Sequence, residues 1–123
     1  MKNSSQWILL VSHGSRLKTA NDAMVDLAQL LQQKLNKPKI IAAFLDLASP
    51  SIPEAIDQAV AGQALSIKLF LYFLVEGRHS QEDIPKIVAL KQKQYPSVKI
   101  EISPIFGSHP DLMKTLVEML KDN

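Results

Sequence analysis

The sequence predicts an α/β fold built on a four-stranded, mostly parallel sheet, with helices on both faces and strand order 2-1-3-4. Three observations predict it. Four short apolar runs alternate with four stretches of helical periodicity along the 123 residues. The first and third runs, WILLVS and SIKLFLYFLV, are nearly continuous in apolar character, as expected of strands buried on both faces of a parallel sheet. Each helical stretch opens on Ser or Thr followed three residues later by Asp or Glu, a pattern that caps free backbone N–H groups and complements the helix dipole.

The elements follow in order. Strand 1 spans about Trp7–Ser12, and helix 1 carries Met24, Leu27, Leu31 and Leu35 at helical spacing before Pro38 ends the region. Strand 2 runs about Lys39–Asp46. Helix 2 covers about Ile52–Ala61, with Gly62 as its stop. Strand 3 is the run Ser66–Val75, with Tyr72 and Phe73 expected in the core. Helix 3 runs from near Ser80, or nearer Asp83 because of Pro85, to Gln94, where Pro96 blocks further extension. Strand 4, VKIEI, alternates apolar and charged residues and therefore belongs at a sheet margin. Helix 4 places Met113, Leu116, Val117 and Leu120 on one stripe. The capping pairs are Thr19–Asp22, Ser51–Glu54, Ser80–Asp83 and Ser108–Asp111. Right-handed crossovers and the commonest short doubly wound order put strand 2 outside strand 1 and strand 3 on its other side, so a crevice opens between strands 1 and 3.

Composition narrows the function. One domain, 1–123, is expected from the length, and 46% hydrophobic residues supply one core. The net charge of +2 and interleaved acids and bases give no nucleic-acid footprint. With no cysteine, disulfides, thiolate metal sites and cysteine nucleophiles are excluded. The apolar runs are too short to span a bilayer, and MKNSSQ is not a signal peptide core, so a cytoplasmic protein without membrane association is expected.

The chemistry gathers at strand ends. His13 follows strand 1 and His79 follows strand 3, so the predicted order sets them face to face across the crevice. Two imidazoles suit a divalent ion such as cobalt, nickel, iron or zinc and leave coordination positions open. The only two arginines, Arg16 and Arg78, each lie within three residues of one of these histidines, a placement suited to forked recognition of carboxylates or phosphates. Gly14 and Gly77 give both loops freedom. Glu76 is a nearby base or a solvated acid. Asp46 ends strand 2, where a turn role is favoured, and His109 after Ser108 reads as a helix-start residue.

VSHGSR, AFLDLASPSIPEAI, LFLYFLVEGRHSQEDIP and PIFGSHPDL together resemble the small CbiX-type sirohydrochlorin chelatases, class II tetrapyrrole chelatases that use no ATP. The resemblance covers almost the whole chain. It implies a chelatase-like fold, half of the flavodoxin-like kind, and insertion of Co²⁺, Fe²⁺ or Ni²⁺ into sirohydrochlorin or a related tetrapyrrole for cobalamin, sirohaem or F430. It implies that His13 and His79 bind the metal and help remove pyrrole protons, and that the protein is a homodimer. The catalytic set is then His13, His79 and Glu76, and the substrate-binding set Ser12, Gly14, Ser15, Arg16, Gly77 and Arg78. The divalent metal is a substrate, and no permanently bound cofactor is expected. Two positions depart from the family pattern, with Asp46 and Ser49 standing where Glu is usual. A metal or tetrapyrrole carrier is the alternative. Phosphoryl transfer through His13 is disfavoured because Ser12, not arginine, precedes it.

Overall fold

The computed structural model describes residues 5–36 and 38–121. Four strands, β1 (Gln6–Ser12), β2 (Lys39–Phe44), β3 (Ser66–Leu71) and β4 (Lys99–Ile102), form one all-parallel sheet in the order β2-β1-β3-β4. Between them run α1 (Lys18–Leu35), α2 (Ile52–Ala61) and α3 (Arg78–Gln94), and α4 (Pro110–Leu120) follows a single 3-10 turn at Phe106–Ser108. The order is the one expected from sequence, and its reversal lies between β1 and β3.

Strand pleating divides the core in two. Leu9 and Val11 of β1, Ile67, Leu69 and Leu71 of β3 and Ile100 of β4 pack with Ile52, Ala55, Ile56 and Ala59 of α2 and Ile84 and Val88 of α3. Leu10, Ile40, Ala42 and Phe44 face the other way, against Ala28, Met24, Leu27 and Leu31 of α1. On that second face β3 and β4 present Lys68, Lys99 and Glu101, with Lys99 and Glu101 paired at 3.7 Å. The alternation of β4 thus makes this margin of the second face charged, beside Phe70 of β3.

Helix α4 is set at the margin of the sheet, near Phe70 and Phe106. It contains no buried residue, and Met113, Leu116, Val117 and Leu120 are all exposed. The stripe exists as the sequence predicts, but Met113, Leu116, Val117 and Leu120 stay uncovered in the single chain.

Helix starts differ from the expected caps in three cases. Only α2 has the full capping box, with Ser51 Oγ accepting from the Glu54 N–H and the Glu54 carboxylate accepting from the Ser51 N–H. Helix α1 begins at Lys18, before Thr19; Ser15 Oγ accepts from Leu17 N–H, and Asp22 pairs with Lys18 instead. Helix α3 begins at Arg78, earlier than Ser80 or Asp83, and the Ser80 hydroxyl donates to the Gly77 carbonyl. Pro85 therefore lies inside the helix. At α4 the cap is His109, whose Nδ1 accepts from the Asp111 N–H, while Ser108 belongs to the preceding turn. Strand β3 stops at Leu71. Phe73 is buried as expected, but Tyr72, expected in the core, is 38% exposed and stacks on Phe106.

Candidate functional site

The loops after β1 and β2 are locked together. Parallel pairing continues past the named strands: Leu45 N–H donates to the Ser12 carbonyl and Asp46 N–H to the His13 carbonyl, both at 2.9 Å. Gly14 has φ +91°, and a Cβ there would overlap the Asp46 carbonyl oxygen. Only glycine permits both the left-handed backbone and that approach. Asn21 clamps the same loop from α1: its Oδ1 accepts from Ser15 N–H at 2.9 Å and its Nδ2 donates to the Ser15 carbonyl at 2.7 Å. A second close approach lies across the sheet, where a Cβ on Gly107 would meet the Leu74 carbonyl. Both junctions hold strand-end loops at fixed separation.

His13 is exposed, with one ring face against buried Phe73, their centroids 4.7 Å apart and the planes tilted by 42°. Its imidazole has no hydrogen-bond partner among the described residues. It opens onto a cleft of about 520 Å³ lined by His13, Leu45, Asp46, Asp83, Lys86 and Ile87. One wall is the β1–β2 loop pair and the other is α3. Asp46 does keep a turn role, as its Oδ1 accepts from the Leu47 N–H at 2.8 Å, yet it also lines this cleft. Leu47 takes the left-handed backbone, φ +67°, at the point where the chain leaves the site.

His79 belongs to the first turn of α3, at the carboxyl end of β3. Its side chain lies outside the described residues. Among the described residues no three His, Asp or Glu side chains are arranged to hold a metal ion.

The other sequence candidates are distributed around this edge. Arg16 and Arg78 are exposed and stand outside the cleft lining; Gly77 is the residue before α3. Ser12 Oγ is buried and has no hydrogen-bond partner among the described residues. Ser15 serves the start of α1. Glu76 lines a separate pocket of about 210 Å³ on the β3–β4 side, with Ser80, Ile84 and Ser103. Ser49, one of the two family departures, donates to the Glu54 carboxylate at 3.2 Å and so supports the α2 cap rather than facing the cleft. These hydrogen bonds, chiefly the one from the Ser51 backbone, hold the Glu54 carboxyl below its ordinary pKa.

Sequence reading passed over Asp83 and Lys86 as site residues. The available signal was helical spacing, because they stand four and seven places after His79 on the α3 face turned to the cleft.

Compared with known families, residues 7–123 match the CbiX family model. The chain belongs to the CbiX family. A sirohydrochlorin ferrochelatase of Arabidopsis thaliana chloroplasts is 28% identical over 114 residues, 93% of this chain and 51% of that protein. A sirohydrochlorin cobaltochelatase of Methanothermobacter thermautotrophicus is 36% identical over 83 residues, 68% of this chain and 57% of that one. The chain thus spans about half the length of the ferrochelatases it matches. Among solved structures, the cobalt complex of the sirohydrochlorin chelatase SirB from Bacillus subtilis subspecies spizizenii superposes with TM-score 0.81 at 28% identity, covering 96% of this chain and 50% of that one. A CbiX protein from Marinobacter aquaeolei, of similar length, gives TM-score 0.78 at 22% identity over 94% of this chain and 93% of that one, which shows the shared fold.

Proposed function

We propose that this protein inserts a divalent metal ion, Co²⁺, Fe²⁺ or Ni²⁺, into sirohydrochlorin or a closely related tetrapyrrole without ATP. The observation that carries the reading is His13, an exposed imidazole whose nitrogens have no partner among the described residues, at the mouth of a cleft whose other wall, α3, begins with Arg78 and His79. The names of the relatives, ferrochelatases and cobaltochelatases of sirohydrochlorin, support the same chemistry.

Insertion exchanges two pyrrole N–H protons for M²⁺. Those N–H groups are weak acids, so the reaction needs metal polarisation together with a neighbouring base. In this reading His13 and His79 hold the incoming ion as a substrate. A neutral imidazole is then both a fitting ligand and a fitting proton acceptor near neutral pH. The histidines are favoured over Glu76 as acceptor because Glu76 opens on the other pocket. Leu45 and Ile87 supply apolar wall for the macrocycle, while Arg16 and Arg78 stand at the same edge for its rim carboxylates. Gly14 and Gly77 shape the two loops, and Ser12 and Ser15 support the first of them.

The working unit in this reading is a homodimer. An 11-residue amphipathic helix is too short to persist in water without tertiary contacts, and α4 keeps its apolar stripe uncovered within its own chain. The expected compartment is the cytoplasm, which cell fractionation tests.

Metal-free sirohydrochlorin mixed with Co²⁺, Ni²⁺ or Fe²⁺ in turn, with the absorption spectrum followed over time, tests the function. Insertion faster with protein than without supports it; equal rates for every metal overturn it. Product beyond one equivalent per protomer separates a catalyst from a carrier.

A further inference from the structure

Helix α3 presents one continuous wall to the cleft. Asp83, Lys86 and Ile87 line it, and they stand on the same face as the backbone position of His79. Lys86 is the only cation among the described residues lining the cleft. It is exposed and makes no ion pair or hydrogen bond among the described residues. By contrast, Lys18, Lys91, Lys99 and Lys121 all pair with acids. The other polar groups of the cleft are His13 and Asp46 on the strand-end wall and Asp83 one turn before Lys86 on α3, so Lys86 is its one positive group among the described residues.

Resting on the chelatase reading, we propose that Lys86 anchors a rim carboxylate of the tetrapyrrole and so contributes to holding the macrocycle in the cleft. The spacing supports this. Seven residues of α-helix place the Lys86 backbone about 10 Å along the axis from that of His79. With the flexible lysine stem, that offset suits the reach from the centre of the macrocycle, where the metal enters, to a carboxylate on its edge. Asp46 and Asp83 both repel a carboxylate, so Lys86 is the one described lining group that attracts a rim acid. A lysine suits this task because it makes a mobile point-charge contact rather than a rigid fork. The residue touches substrate but takes no part in proton or metal transfer.

Lys86→Gln, Lys86→Glu and Lys86→Arg test the proposal in steady-state kinetics and in equilibrium binding of metal-free sirohydrochlorin followed by fluorescence. For Lys86→Gln the KM for tetrapyrrole and the Kd rise together by about three- to tenfold while kcat stays within about twofold. Lys86→Glu raises both further, Lys86→Arg restores most of the affinity, and the differences shrink as salt rises. The fully esterified tetrapyrrole binds wild type and Lys86→Gln equally. Unchanged KM and Kd in Lys86→Gln, or a loss confined to kcat, overturns the anchor while leaving the chelatase reading intact. A wild-type protein that accelerates no insertion overturns the reading and the anchor with it. Lys86 is exposed, and circular dichroism of each variant separates misfolding from lost binding.

Discussion

Gly14 meets the carbonyl of Asp46 so closely that no side chain fits between them, and this contact joins the loop bearing His13 to the loop bearing the cleft's first carboxylate. The position of His13 therefore depends on a residue with no side chain, through the backbone as well as through the packing of its ring on Phe73.

Gly14→Ala adds a Cβ at φ +91° and drives it into the Asp46 carbonyl. The loops must separate. Chemical denaturation is expected to show a loss of about 1–3 kcal/mol, and metal insertion is expected to fall by about tenfold or more as His13 moves off its place against Phe73. A variant with wild-type stability and rate would show that the loop junction does not position the site.

The apolar stripe of α4 makes an independent prediction. Leu116→Glu puts a charge where the reading places a second copy, and it is expected to raise the dimer dissociation constant by about tenfold or more. Light scattering across a dilution series measures it. Since Leu116 is exposed in the single chain, monomer stability is expected to change little. A wild-type chain that stays monomeric at high concentration would contradict the homodimer.

An acid-side stability prediction comes from the joint between α2 and α3. The Asp57 carboxylate accepts from Lys91 Nζ and from the Tyr95 hydroxyl, each at 2.7 Å. The bond from Lys91, then that from Tyr95, holds its pKa below the ordinary carboxylate value, and the same carboxylate pushes the Tyr95 hydroxyl up. A carboxyl depressed in the folded state adds stability that is complete above its unfolded pKa and is lost as pH falls through the folded value. Asp57 is half exposed, so solvent screening keeps the contribution to about 1 kcal/mol or below. Asp57→Asn is therefore expected to be less stable than wild type at pH 7 and equal to it near about pH 2. A stability gap that persists unchanged into strong acid would contradict this.

Strand order was legible because near-continuous apolar runs, separated by helical periods, leave few topologies open. The edge position of β4 was legible for a related reason, since Lys99 and Glu101 alternate with Ile100 and Ile102. The helix starts were less legible. Ser and Thr followed by an acid three places on is a local pattern, and three of four such pairs lost to a competing partner: Lys18 for Asp22, the Gly77 carbonyl for Ser80, and His109 for the cap at α4. The histidine loop was found from its place after β1. Asp83 and Lys86 were passed over because they belong to a helix wall, where charged residues ordinarily read as solvated. Ser49 and Asp46 look alike as departures in sequence, but the structure separates them, with Ser49 at a helix cap and Asp46 in the cleft.

Single replacements of the two motif histidines bear on the metal-handling step. His13→Ala and His79→Ala are each expected to slow insertion by roughly tenfold or more without lowering affinity for metal-free sirohydrochlorin comparably. Full rate in the double variant would remove both residues from the site.

The most direct measurement counts product. With excess metal-free sirohydrochlorin and Co²⁺, metal-tetrapyrrole formed per protomer is followed spectroscopically for wild type and for His13→Ala. The account predicts many equivalents from wild type, at a rate well above the protein-free reaction, and a much slower rise from His13→Ala. A wild-type trace that stops at one equivalent, or that follows the protein-free reaction, would contradict it.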